Sequence, residues 1–92
     1  MEKGDLIFAK QLPLILRHHS TGKSVKTIRD SPSPVPAVFV EEVKDSWNSN
    51  PTVWKNLPTN TIPWWRVVIE GSTFIVASTR MTDKIESIDN AY

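Results

Sequence analysis

The sequence predicts a mainly β domain, a small and strongly bent antiparallel sheet or barrel with a short helix at its C-terminal end. Two β-branched and aromatic runs, residues 65–70 and 73–78, flank Gly71-Ser72 and read as a hairpin. Two further runs with period-two alternation, residues 6–10 and 37–43, supply strands to cover it, and residues 79–92 change to a helical period. A hairpin alone is marginal in water, so these other segments must pack against it. With 92 residues and no cysteine, the chain forms one domain, 1–92, stabilised by packing. A disulfide framework, a thiolate metal site and a cysteine nucleophile are excluded.

Taken in order, Lys3-Gly4-Asp5 reads as a turn that releases the strand at 6–10. Leu6, Phe8 and Lys10 alternate against Ile7 and Ala9, and apolar character on both faces predicts a strand covered on two sides. Pro13 lacks the amide of a central strand, which places residues 12–16 at a sheet edge or in an apolar loop over the core. Residues 17–29 are basic and rich in Ser, Thr and Gly, and read as a loop containing a short strand Ser24–Ile28. Pro32, Pro34 and Pro36 then make the chain extended and stiff, so residues 17–35 form one inserted basic and proline-rich loop. In the strand at 37–43, Val38, Val40 and Glu42 alternate against Ala37, Phe39, Glu41 and Val43.

Residues 44–62 form a polar loop that carries Trp47, Val53, Trp54 and Leu57, and its length predicts a short helix or 3₁₀ turn around Pro51–Asn56. In the hairpin, glycine at the first central position predicts a type II′ turn over Gly71-Ser72. That turn sets Ile69 opposite Phe74, Val67 opposite Val76 and Trp65 opposite Ser78. Arg66, Val68, Glu70, Thr73, Ile75 and Ala77 share the other, partly exposed face. Met81, Ile85 and Ile88 lie on one face of the C-terminal helix, which Thr82 and Asp83 cap. An SH3-like barrel accommodates all these pieces.

Net charge is only +1, but it is unevenly spread. Between Asp5 and Asp30 the chain holds Lys10, Arg17, Lys23, Lys26 and Arg29, with His18 and His19, and no acid. Such a stretch suits a phosphate backbone, with Ser20, Thr21 and Gly22 as further donors. Few base-reading side chains accompany it, so binding would be weakly sequence-specific and steeply salt-dependent. A solvated loop is the plainer alternative. His18 and His19 make a poor metal pair, because neighbours on a strand point to opposite faces and no third ligand accompanies them. Ser31-Pro32 and Ser33-Pro34 fit proline-directed phosphorylation, which would oppose anion binding.

Catalysis finds little footing. There is no glycine-rich phosphate loop, no serine in a nucleophile context near a histidine, and Glu41 and Glu42 face opposite ways. The expectation is a non-enzymatic protein without cofactor or metal. No apolar run approaches the roughly 18 residues of a membrane span, and residues 1–10 lack the marks of a secretory signal, so a soluble intracellular protein without membrane contact is expected.

The order of the pieces resembles a PWWP domain. Gly4-Asp5-Leu6-Ile7-Phe8-Ala9-Lys10 is similar to that family's opening strand, and Pro34-Val35-Pro36-Ala37-Val38 to its proline-rich entry into the second strand. Val67-Val68-Ile69-Glu70-Gly71-Ser72 resembles its third strand, and residues 79–83 sit where it enters a C-terminal helix. Pro63-Trp64-Trp65 lies outside the family's signature position. The resemblance implies a nuclear chromatin module that contacts DNA or a nucleosome, with a histone tail or another chromatin-complex subunit as further partners. It also implies an aromatic cage for methylated lysine. At the cage positions this chain has Pro32, Val35, Ile69 and Glu70, and aliphatic replacements lose the attraction of aromatic faces for a quaternary ammonium. An atypical or absent cage is therefore expected.

Lys10, Arg17, Lys23, Lys26 and Arg29 are the candidate phosphate contacts, and Phe8, Trp64 and Phe74 the candidate walls of a residual pocket. Two other readings stand beside this one. A protein–protein scaffold would use an exposed patch of Trp47, Trp54 and Leu57. Ile62-Pro63-Trp64-Trp65-Arg66-Val67-Val68 is also similar to the active-site segment of alkyltransferase-like proteins, with Trp64 where repair methyltransferases carry their acceptor cysteine. That likeness implies a binder of O6-alkylguanine in a flipped-out nucleotide and favours a helix at 38–47.

Overall fold

The stretch 65–78 forms a hairpin at the centre of the sheet. A computed structural model describes residues 1–43, 51–59 and 61–84, and the backbone of 89–90. Its strands are β1 (Leu6–Ala9), β2 (Gln11–Leu12), β3 (Leu14–His18), β4 (Ser24–Ile28), β5 (Pro36–Glu42), β6 (Trp64–Ile69), β7 (Ser72–Ala77), β8 (Met81–Thr82) and β9 (Asp89–Asn90). The one helix among the described residues, α1, runs Pro51–Asn56, where it was expected. Seven strands make an antiparallel sheet in the order β4-β3-β7-β6-β5-β1-β8, not closed into a barrel, and β2 pairs with β9 in parallel.

The hairpin register differs from the expected one by two residues. Ile69 pairs with Ser72, Val67 with Phe74 and Trp65 with Val76, so the turn residues are Glu70 and Gly71. Both have positive φ, 52° and 80°, as a type I′ turn requires. The I′ twist matches that of the strands, and it places the glycine second, which releases Ser72 into β7. A two-residue shift leaves every side chain on its expected face. The left-handed backbone at Glu70 is strained. Glu70→Asn, which tolerates that conformation, is therefore expected to stabilise the domain by roughly 0.5–1 kcal/mol, read as a higher urea midpoint with unchanged slope.

The hairpin separates two cores. On one face Val67, Ile69 and Val76 join Ile7, Ala9, Leu12, Leu14, Leu16, Ala37, Phe39 and Met81, and Trp65 meets Phe39 edge-on at 5.4 Å. On the other, Trp64 and Ile75 pack with Val43 and with Val53 and Leu57 from the α1 segment. Ile75, expected to be partly exposed, is wholly buried because α1 covers it. At β5 the ladder steps from Phe39–Val67 to Glu41–Arg66, leaving Val40 as a bulge that sets Glu41 against Arg66 at 2.9 Å.

Three further expectations are corrected. β1 is covered on one side only, for Ile7 and Ala9 are buried while Leu6 is 56% exposed. β3 is an inner strand, between β4 and β7, and Pro13 precedes it, so the ladder needs no proline amide. In place of the start of a C-terminal helix, a 3₁₀ turn Ser78–Arg80 leads into β8, where Met81 pairs with Ala9 and is buried. Burying Met81 on the sheet outweighs the weak local helical pattern. Ile85 and Ile88 lie outside the described residues. No helix among the described residues is long and apolar enough to cross a membrane.

Candidate nucleic-acid interface

The basic segment 17–35 is largely ordered into the β3–β4 hairpin. Leu14 pairs with Ile28, Ile15 with Thr27 and Leu16 with Lys26, so the core face of β3 anchors a strand with little apolar content of its own. β4 ends the sheet, and no strand among the described residues pairs with its outer edge. Lys23 in the turn, Lys26 in the strand and Arg29 just beyond it are exposed. None of the three has an ion-pair partner among the described residues. A lysine-bearing edge resists pairing with another strand, and here it adds an exposed cation to those on either side of it.

Arg17 belongs elsewhere. Its guanidinium donates to the carbonyl oxygens of Gly22 at 3.0 Å and Asn56 at 3.4 Å, and its Cζ stands 5.6 Å from the centroid of the Trp64 ring. Burial lowers its pKa from the ordinary value. It ties the β3–β4 turn to the end of α1, and Asn56 Nδ2 adds a bond to the Thr21 carbonyl at 2.9 Å. Lys10 is exposed after β1, near the far end of the sheet order from β4. Of the five expected phosphate contacts, then, three share one edge.

A groove of about 580 Å³ lies beside that edge. Leu16, Ile28, Val35, Ile69 and Phe74 give it an apolar floor, and Lys26, Arg29, Asp30 and Glu70 are its charged residues. Thr27, Ser31, Pro32 and Ser72 complete the lining. Ser31 is partly turned inward on its own segment, its Oγ donating to the Ser33 carbonyl at 2.6 Å. Phe74 is half-buried and lines this groove. Trp64 is not a wall of it: the ring is buried in the second core, and Nε1 donates to the Thr59 carbonyl at 2.9 Å. Phe8 is half-buried opposite Pro36 and Thr82, away from the groove lining.

Sequence reasoning did not bring Asp30 and Glu70 into one lining with Lys26 and Arg29, since nothing local joins the end of β4 to the tip of the β6–β7 hairpin. Pro32, Val35, Ile69 and Glu70, which come from two separate stretches of the sequence, all line this one groove. Of the expected patch of Trp47, Trp54 and Leu57, two residues are described. Leu57 is buried, Trp54 is half-buried against the second core, and Trp47 lies outside the described residues. His18 and His19 stack with ring centroids 4.8 Å apart, and Nδ1 of His18 accepts from the Ser20 amide at 3.1 Å. Among the described residues, no group of three His, Cys, Asp or Glu side chains is placed to hold a metal ion.

No protein-family model matches the chain, and neither a curated protein nor a solved structure matches it.

Proposed function

We propose that this chain is a non-enzymatic, PWWP-like interaction module that contacts nucleic-acid phosphates through the edge of β4, with DNA or a nucleosome in the nucleus as its partner. The observation that carries the reading is the group of Lys23, Lys26 and Arg29, in and beside β4, exposed and without ion-pair partners among the described residues. Three exposed cations, one in an edge strand and one on either side of it, can contact a phosphate backbone, each displacing condensed counterions. Two features support the SH3-like, PWWP-type part of the reading. The strands β8-β1-β5-β6-β7 are consecutive antiparallel neighbours, with the opening strand between the second and a closing one. The cage positions also converge on a single groove. With Phe74 as its one aromatic ring among the described residues, that groove is a weak receptor for methylated lysine.

The alternatives have less support. The scaffold reading needs an exposed Trp47, Trp54 and Leu57 patch, and Leu57 is buried. The alkyltransferase-like reading is favoured by a helix at 38–47, whereas residues 36–42 are β5. Charge reversal tests the proposal. Changing Lys23, Lys26 and Arg29 together to Glu is expected to lower affinity for a short duplex DNA more than tenfold at low salt. It should also flatten the salt dependence, by roughly 0.9 in logarithmic slope for each phosphate no longer neutralised. Unchanged affinity would remove β4 from the interface.

A further inference from the structure

We propose that the groove beside β4 takes one unpaired nucleotide, with its base against Phe74 and its phosphates at Lys26 and Arg29. This rests on the phosphate-binding reading and adds to it a preference for single strands and for amino-bearing bases. The groove carries both signs of charge. A channel for phosphodiester alone is basic throughout, but here Asp30 and Glu70 stand in the same lining as Lys26 and Arg29. Carboxylates repel phosphate and accept hydrogen bonds from exocyclic amines, cytosine N4 above all. The lining thus offers attraction for a backbone together with acceptors suited to a base edge.

The floor selects in the same direction. Ile28, Val35 and Phe74 are only half-buried, so an apolar surface with one aromatic ring stays open to a flat, weakly polar ligand. A base held within a duplex has its faces covered by its neighbours, whereas an unpaired base can stack on an aromatic side chain. A volume of about 580 Å³ lies in the range of roughly 300–1,000 Å³ typical of small-ligand sites, and so has room for a nucleotide. Methylated lysine is disfavoured by the single ring and by the two cations, and an acidic peptide would meet Asp30 and Glu70.

The test titrates the whole chain with a ten-nucleotide oligo-dC, with oligo-dT of the same length, and with a duplex of equal phosphate count, while backbone and methyl resonances are followed. Oligo-dC is expected to bind more tightly than either of the others and to shift Ile28, Val35, Ile69 and Phe74. Phe74→Leu keeps most of the side chain's volume but removes the stacking face. It should cost oligo-dC roughly tenfold in affinity while leaving duplex affinity unchanged. Glu70→Gln should narrow the dC over dT preference. Equal binding of single strand and duplex, or unchanged oligo-dC affinity in Phe74→Leu, would overturn the groove proposal and leave the phosphate reading standing. Absence of binding by all three at low salt would overturn both. Shifts at these residues with polyglutamate but not with oligo-dC would overturn the nucleotide assignment and give the groove to an acidic peptide.

Discussion

Trp64→Ala is expected to remove about 3–5 kcal/mol of stability. The residue is 4% exposed, and its ring is a large part of the second core, packed with Val43, Val53, Leu57 and Ile75. Removing it leaves a cavity between sheet and helix, and it strands two polar groups. The Thr59 carbonyl loses the Nε1 donor that now stands 2.9 Å away, and the half-buried guanidinium of Arg17 loses the ring it faces. A domain of this size has only about 5–15 kcal/mol in total, so most of its margin is at stake. α1, six residues long, cannot hold its shape without that packing. The measurement is urea unfolding followed by far-ultraviolet circular dichroism, since the substitution alters the fluorescence probe. Trp64→Phe should cost less, about 1–2 kcal/mol, because it keeps much of the buried area and loses the hydrogen bond. A loss below about 1 kcal/mol in Trp64→Ala would mean that the second core contributes little to stability.

The same tryptophan marks where sequence reasoning reaches its limit. Alternation alone places Val67, Ile69, Phe74 and Val76 on one face, and all four lie in or against the main core, even though the turn is offset by two residues. Period-two patterning is insensitive to that error, whereas an error of one residue would have turned the strand over. α1 is legible from the length and composition of the loop that holds it. Its consequence is not, because a helix six residues long declares no partner, and so the burial of Trp64, Leu57 and Ile75 beneath it stays hidden. A tryptophan beside prolines looks the same in sequence whether it walls a ligand pocket or closes a core.

The candidate site divides in a similar way. Lys23, Lys26 and Arg29 are legible because charge and exposure go together. Arg17 has the same charge but sits in β3 on the face beneath α1, where carbonyl oxygens take up its donors. Composition cannot separate a cation that offers its charge to a ligand from one that uses it within the fold. Only the register of β3 against β7, Arg17 opposite Ile75, puts it beside the second core.

Gly22→Ala is expected to destabilise the domain by about 2–4 kcal/mol, a large effect for a methyl group added in a turn. Gly22 has φ +77°, a left-handed conformation that disfavours any side chain, and a Cβ there would stand 2.7 Å from the backbone oxygen of Val53. The obstacle is α1 main chain, which cannot rotate aside as a flexible side chain would. Either the turn or the helix must move, and both are tied down: the Gly22 amide donates to the His18 carbonyl at 2.8 Å, and its own carbonyl accepts from Arg17. Gly71→Ala supplies the control. Its φ of +80° is nearly the same, but nothing lies within 4 Å of the added carbon, so it should lose only the conformational part, about 1–2 kcal/mol. The difference between the two unfolding free energies isolates the contact between turn and helix. Hydrogen exchange at the α1 amides should quicken in Gly22→Ala and not in Gly71→Ala, because only the first substitution pries the helix from the β3–β4 hairpin. Equal losses in the two variants would show that the turn yields freely and that its close approach to Val53 contributes little to holding α1.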